Sequence, residues 1–495
     1  MQKKTAVVWK KGECSLADAK QDTKGITVKK SDDMAEWYGQ VVVKSEIADY
    51  SSIRGFIIMR PNSYSIWEKI QAEFNAKIKK QRVRNAYFPL LIPESFFSKE
   101  AEHAKGFSPE VAWLEQKEGD HERYAIRPTS ETIIYDSYAR WIRSWRDLPL
   151  RLNQWCNIVR WEVKDTKAFL RGREFLWQEG HCVYETEKEC KKETLLYLEY
   201  YRQVIEELLA VPVLVGRKTE SERFAGAVRT LAIESLMPDG KALQMGTSHD
   251  LGQGFAKSFS ISYLGKDGQM QLPWQNSWGF STRTIGALIM THGDEKGLVL
   301  PPRAAEHKLA IIPILFEASK TQTLLAARSL AKQLKRFNPI LDDREEYSAG
   351  WKFNEYELTG IPLRIELGPK DIEKQSVMLV RRDTGEKRSV PIAQLADEIR
   401  KTLDEMQHAL FDKAKKAMME RIVTVTDWDA FLAADKQGKM MLAAHCGNAE
   451  CEQEIKETTK GITTRCIPFK GEKPTAACVR CQKKAKYNVY FARAY

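Results

Sequence analysis

Apolar residues recur four apart through YSIWEKIQAEFNAKIKKQR, residues 64–82, where Ile66, Ile70, Phe74 and Ile78 share one face of a predicted helix. ETLLYLEYYRQVIEELL, residues 193–209, predicts a second such helix. Around them run short β-like stretches: YFPLLIP (87–93), NIVRWEV (157–163), EFLWQEGHCVYE (174–185) and SFSISYL (258–264). Helices and strands mix without any repeat, which predicts an α+β domain built on an antiparallel sheet. The texture changes at GLVLPPRAAEHK (297–308), because Pro301 and Pro302 suit neither a helix interior nor a central strand. Beyond it, HKLAIIPILF reads as a buried strand, residues 323–337 as an amphipathic helix, and IPLRIELG and SVMLVRRD as strands. That alternation predicts a small α/β domain. Residues 403–421 read as a Lys-rich amphipathic helix. The expected division is a polar lead-in over 1–33, a mixed domain over 34–302, the α/β domain over 303–402, and a helical linker with a cysteine-bearing α+β tail over 403–495.

A chain of 495 residues holds about three domains of ordinary size. With 43% hydrophobic and 29% charged residues, bulk disorder and fibrous repeats are excluded. Apolar runs are short; Leu309 to Phe316 is interrupted by Pro313, so no bilayer-spanning segment is expected. MQKKTAVVWKKGE lacks the apolar core of a secretory leader, and a cytoplasmic protein is expected. The net charge of +11 permits a polyanionic partner.

Nine cysteines are unevenly placed. Cys14, Cys156, Cys182 and Cys190 are scattered, while Cys446, Cys451, Cys466, Cys478 and Cys481 crowd the C-terminal segment. An odd count without a leader argues for free thiols rather than a disulfide framework. Cys446-x4-Cys451 and Cys478-x2-Cys481 suit a closed, structural zinc site of four thiolates. The alternatives are Cys466 or His445 replacing one ligand, or no metal at all.

Three segments point to chemistry. The first is Arg127-Pro128-Thr129-Ser130-Glu131-Thr132. The second is Arg160-Trp161-Glu162, a charged loop, then Arg171-Gly172-Arg173-Glu174-Phe175-Leu176-Trp177-Gln178-Glu179-Gly180-His181. The third is Gly279-Phe280-Ser281-Thr282-Arg283-Thr284-Ile285-Gly286. Taken singly, each has a plain reading. Arg160 is a surface cation, Phe175 and Trp177 are core residues on one strand face, and Thr129-Ser130-Glu131 is a helix N-cap.

As one ordered pattern they resemble the class II aminoacyl-tRNA synthetases, and within them the prolyl-tRNA synthetases of the archaeal and eukaryotic type. The resemblance runs from about residue 34 to the C-terminus. It implies an antiparallel-sheet catalytic domain, an anticodon-binding domain over 303–402, a C-terminal zinc-binding domain, and a C-terminus kept near the active site. It implies a ligase that activates L-proline with ATP and magnesium, then transfers it to tRNA(Pro). Two anions meet in the first step, and fixed cations stabilise the charge that grows on the phosphates. By the family pattern Arg160 spans substrate carboxylate and α-phosphate, and Arg283 meets the γ-phosphate end. Phe175 stacks on adenine, with Arg171, Glu162, Gln244 and Thr247 around the nucleotide. Glu131 pairs with the proline ammonium beside Thr129. Phe107, Trp177 and His249 wall the ring, with Ser281 near.

The anticodon contacts expected from the same resemblance are Arg344, Lys352, Lys370 and Asp371. The stretch around Pro89 and Pro93 resembles the class's first signature and implies a homodimer. The segment between Glu179 and Gln244 is too short for an inserted editing domain, so none is expected. The rival readings are a sister class II synthetase for another amino acid and a non-catalytic, tRNA-binding regulatory paralogue. A zinc-bearing RNA-binding module would leave the first 300 residues or so unexplained.

Overall fold

The structure is a computed structural model, and it describes residues 25–101, 110–116, 119 and 121–495. Phe107 and Cys14 lie outside the described residues. Helix α1 (Met34–Lys44) is capped by Asp33, whose carboxylate accepts from the Ala35 and Glu36 amides. Helix α2 (Pro61–Lys79) begins on a proline and buries Ile66, Ile70, Phe74 and Ile78, the face read from sequence.

The centre is an eight-stranded sheet. In chain order its catalytic-domain strands are β1 (Arg84–Asn85), β2 (Leu150–Val159), β3 (Glu174–Tyr184), β4 (Leu214–Arg217), β5 (Arg229–Leu236), β6 (Ala242–Gly252) and β7 (Trp274–Ser281). They lie in the order β4-β5-β6-β7-β3-β2-β1, antiparallel throughout except for β1 against β2. Helix α3 (Glu131–Trp141) precedes β2, and α4 (Glu187–Gln203) follows β3 and continues as one π-helical turn, Val204–Leu208. The residues between Glu179 and Gln244 are the end of β3, α4, β4, β5 and the start of β6, all parts of the same domain.

Alternation along each strand gives the sheet two chemically different faces. Cys182, Tyr184, Leu231, Ile233, Met245, Trp278 and Phe280 face the core shared with α2 and α4. There Trp278 stacks on Tyr197 with ring centroids 4.1 Å apart. Gly180 makes room: a Cβ at that position would lie 2.1 Å from the Trp278 ring. The intervening residues, Trp177, Glu179, His181, Thr230, Thr247, His249, Ser277 and Ser281, face a cavity on the opposite side.

Two β-like stretches fold otherwise. NIVRWEV stops being strand at Val159, because the Arg160 amide bonds to the Arg173 carbonyl at 2.7 Å and closes a hairpin. In SFSISYL only Tyr263–Leu264 is strand. The preceding residues end a short helix, Gly254–Ser258, and Phe255, Phe259 and Ile261 pack around Tyr135 and Tyr138. Of YFPLLIP only Leu91–Pro93 is strand, paired with Tyr124–Ile126.

Helix α5 (Arg283–His292) follows β7 directly. The second sheet has β8 (Leu309–Pro313), β9 (Ile340–Leu341), β10 (Leu363–Leu367), β11 (Ser376–Arg381) and β12 (Lys387–Pro391) in the order β9-β8-β10-β11-β12, parallel and then antiparallel. Helices α6 (Lys320–Gln333) and α7 (Ala349–Leu358) belong to this domain. Helix α8 (Leu395–Met419) runs unbroken across the boundary drawn at 402. Its first half packs into the second sheet's core through Leu395, Ile399, Leu403 and Met406, and Leu410 packs against Ala210 and Val299 of the catalytic domain.

The C-terminal unit is a four-stranded sheet of β13 (Ile422–Val425), β14 (Met440–His445), β15 (Ile462–Thr464) and β17 (Tyr487–Arg493), ordered β13-β14-β17-β15. Its remaining strand, β16 (Ile467–Pro468), pairs antiparallel with β4 and forms the outer edge of the central sheet. The chain ends inside the catalytic domain: the Tyr495 amide donates to the Ala242 carbonyl at 3.3 Å, and its phenol bonds to Asp239.

Candidate active site

The cavity on the open face of the central sheet has a volume of about 260 Å³. Arg160, at the turn after β2, and Arg283, at the first turn of α5, both line it. The Arg160 guanidinium makes no hydrogen bond or ion pair among the described residues; Phe175 lies 5.5 Å from it. Arg283 is fixed through backbone carbonyls, Nε to Leu170 at 3.0 Å and Nη1 to Gln244 at 3.1 Å. Burial lowers both guanidinium pKa values. For Arg283, brought down to about 10, the neighbouring Arg160 charge adds to the effect. Two cations thus stand close together without a carboxylate bonded to either, an arrangement completed by an anion.

Thr129, Glu131, Phe175, Trp177, Gln244, Thr247, His249 and Ser281, all expected from sequence, line the same cavity. Glu131 is nearly fully buried at the first position of α3, and the Thr129 hydroxyl donates to it. Phe175 also borders an adjoining apolar cavity of about 240 Å³, where Arg171 lies. Glu162 is exposed on the turn after Arg160, where the hairpin closes one residue after Val159, and its charge acts on Arg160 from outside both cavities. Ser130 departs from the N-cap reading. It occupies the N-cap position of α3, but its side chain caps nothing; it accepts from Gln154 Nε2 at 3.1 Å.

That bond belongs to a floor not anticipated from sequence. Glu179 accepts from Gln154 at 2.7 Å and meets His181 Nε2 at 3.1 Å, while His181 Nδ1 meets the Tyr135 hydroxyl at 3.0 Å. Burial pushes the Glu179 carboxyl up, but the hydrogen bonds from His181, Ser130 and Gln154 outweigh it and hold it below the usual range. The available signal was spacing: Trp177, Glu179 and His181 share one strand face.

The Thr230 hydroxyl accepts from the Phe224 amide at 2.9 Å and meets His249 Nδ1 at 3.0 Å, which fixes the ring in the cavity wall. Burial, then the charges of His181 and Lys218, lower its pKa to about 3, and the ring is neutral at physiological pH. It lies against Phe224, centroids 4.5 Å apart. Trp177, His249 and Phe224 thus line the cavity with flat rings, beside the carboxylates of Glu131 and Glu179.

The chain matches the tRNA synthetase class II core domain (G, H, P, S and T) over residues 113–292, the anticodon binding domain over 308–402, and the prolyl-tRNA synthetase C-terminal domain over 428–495. It is 47% identical to a proline–tRNA ligase of Clostridioides difficile, covering 96% of this chain and 99% of that protein. It is 46% identical to a proline–tRNA ligase of Cenarchaeum symbiosum, covering 95% and 100%. The chain belongs to the prolyl-tRNA synthetase family. Its activity class is therefore aminoacyl-tRNA ligase. The fold agrees: a prolyl-tRNA synthetase of Cryptosporidium parvum, solved with halofuginone and AMPPNP, superposes with a TM-score of 0.90 at 44% identity, covering 96% of this chain and 97% of that one. Among the described residues no helix is long and apolar enough to cross a membrane.

In the second domain of this synthetase, Lys370 is exposed on a short helix, Pro369–Glu373, whose first turn Asp371 caps through the Gly368 amide at 2.8 Å. Arg344 chelates Asp342 and bonds to Glu355, with Tyr347 and Trp351 stacked beneath it at 3.9 Å. Lys352 is a further correction. It is buried, and its ammonium donates to the Asp342 and Arg344 carbonyls, so it braces the loop and offers RNA nothing.

In the C-terminal domain Cys446 and Cys481 lie 3.6 Å apart and Cys451 and Cys478 3.7 Å apart. Zinc–sulfur bonds of about 2.3 Å give a thiolate tetrahedron edges of about 3.8 Å, and these two spacings match such edges. The side chain of His445 lies in the same group, within 4.8 Å of Cys446, Cys451 and Cys478. Its Nδ1, however, accepts from the Gly447 amide at 3.0 Å, which places the proton on Nε2, buried without a partner among the described residues. Cys466 sits apart, beside Gly216 at the β4–β16 junction.

Proposed function

We propose that the cavity forms prolyl-adenylate from L-proline and ATP, and that the prolyl group then passes to the 3′ end of tRNA(Pro). One observation carries this reading: Arg160, Arg283 and Glu131 line the same cavity. ATP enters with magnesium as the substrate. Proline lies with its ammonium on Glu131 and Thr129 and its ring between Trp177 and His249. Its carboxylate then faces Arg160, whose planar fork serves a carboxylate and a phosphate oxygen together. Arg283 takes the far end of the nucleotide, Phe175 and Arg171 border the base and phosphates, and Gln244, Thr247 and Ser281 complete the wall. The carboxylate is already ionised and attacks the α-phosphorus while pyrophosphate leaves. Positioning and fixed charge supply the rate. In the second step a ribose hydroxyl of the tRNA attacks the adenylate carbonyl and AMP leaves.

Cys446, Cys451, Cys478 and Cys481 would hold a structural zinc, which cross-links the C-terminal strands without entering the reaction. Half-buried Arg344 and exposed Lys370, with Asp371, are proposed to meet the anticodon. The dimer is proposed to close over Tyr87, Leu91, Leu114 and Trp141, large apolar side chains left exposed around the β-pair at Leu91–Pro93. A sedimentation experiment showing a monomer at micromolar concentration would remove the dimer.

Proline-dependent ATP–pyrophosphate exchange tests the central reading. No exchange with proline, or equal exchange with threonine, would end it.

A further inference from the structure

Lys218 lines the reaction cavity but plays no part in the assignments above. It is nearly fully buried, and its ammonium makes a single hydrogen bond among the described residues, to Glu234 Oε1 at 2.7 Å. An ammonium has three donors, so two remain. Glu234, on β5, is completely buried and takes a second cation from another domain. Arg465, between β15 and β16, donates Nη2 to Oε1 and Oε2 at 3.1 and 3.0 Å and Nε to Oε2 at 3.3 Å. Its own backbone is pinned to β17 by the bond from its amide to the Tyr490 carbonyl at 2.7 Å. The two cations outweigh the cost of burying the Glu234 carboxyl and keep it ionised.

The charges do not balance. One carboxylate stands between two cations, which leaves one net positive charge at the cavity wall. Without Arg465 the Lys218–Glu234 pair would be neutral and the lysine's field spent. Glu222 also borders the cavity but is exposed, where solvent screens it. Glu179 is engaged by His181, and Glu131 by Thr129.

We propose that the C-terminal domain supplies a working part of the reaction site: Arg465, acting through Glu234, holds Lys218 as an uncompensated cation that receives a phosphate oxygen. Arg465 is the positioning residue and Lys218 the contact. An ammonium with free donors is a point charge suited to phosphate. The phosphate belongs either to the nucleotide or to the 3′-terminal nucleotide of the tRNA. The inference rests on reading the cavity as the activation site.

The test uses the full-length chain. Arg465→Met should raise the KM for ATP in pyrophosphate exchange about tenfold, the size of one lost charge-assisted hydrogen bond, while the KM for proline stays within about twofold. Lys218→Gln should shift the same parameter, and the double variant should be no worse than the poorer single one. Arg465→Lys should recover much of the loss. If exchange is unchanged and only the KM for tRNA rises in aminoacylation, the phosphate is the tRNA's. Should Arg465→Met fail to fold, Lys218→Gln leaves the Glu234–Arg465 pair intact and asks the same question. Equal shifts for proline and ATP, additive variants, or an unaffected Lys218→Gln would overturn the inference. A wild-type chain lacking proline-dependent exchange would instead refute the reading of the cavity.

Discussion

Arg283 donates to the Gln244 carbonyl at 3.1 Å, which hangs the first turn of α5 on the adjacent strand β6 and keeps a half-buried cation within the field of Arg160. The bond costs the guanidinium none of its charge, because its partner is a backbone carbonyl. The site is therefore held in shape before any ligand arrives, with like charges waiting for an anion. Arg283→Ala should lower kcat/KM for ATP in pyrophosphate exchange by about 10²–10³, as for loss of one pre-aligned transition-state donor. Proline affinity should be nearly unchanged. A loss under about tenfold would move Arg283 away from the phosphates.

Glu131 is buried beside Thr129 at the start of α3, and its proposed partner is the substrate's ammonium. Glu131→Ala should raise the KM for proline by about two orders of magnitude, the scale of a buried charge pair, and leave the KM for ATP within about twofold. Equal effects on both substrates would place Glu131 outside the amino-acid pocket.

His292 is buried and His249 half-buried in the cavity wall; both are neutral, their pKa values lowered by desolvation to about 4 and about 3. His292 bonds to the Leu209 carbonyl at 3.0 Å. Unfolding lets each ring take up a proton below its ordinary pKa near 6.5. The stability each contributes is thus complete above that pH and falls as pH drops toward the folded values. Between pH 7 and pH 5 each should cost about 2 kcal/mol of unfolding free energy, measurable by urea titration. His292→Gln should flatten that dependence; an unchanged slope would contradict the assignment.

Metal analysis of the purified chain should find about one zinc per chain, held by four thiolates. Cys451→Ser should lose the metal and lower the melting temperature. His445→Ala should retain it, since the Gly447 amide already occupies Nδ1. Zinc lost with His445→Ala and kept with Cys481→Ser would exchange the two residues in the ligand set.

Gly216 lies where β16 joins the central sheet, and a Cβ there would stand 2.3 Å from the Ile467 carbonyl oxygen. Gly216→Ala should open this edge and expose the segment around residue 466 to protease in the native state, at otherwise normal helix content. Unchanged proteolysis would show that the strand pairing is dispensable.

Much of this was legible because it is local. The helix carrying Ile66, Ile70, Phe74 and Ile78 follows from spacing, and the strand carrying Trp177, Glu179 and His181 follows from alternation. Lys352 was misplaced because whether a charged side chain points into a cavity, into solvent or back onto its own loop depends on where the rest of the chain packs. SFSISYL alternates like a strand, yet Phe255, Phe259 and Ile261 do better packed around Tyr135.

The sequence by itself determined the chemistry. An ordered set of arginines, a carboxylate ahead of a helix and paired cysteines specify which groups must meet, and any fold that performs the reaction has to gather them. Only the tertiary structure decided that Arg465 of the C-terminal domain reaches a carboxylate beneath the cavity and that β16 completes the catalytic sheet. Edge pairing and charge burial are settled between distant segments, by which backbone donors and which cations remain unsatisfied once each domain has folded.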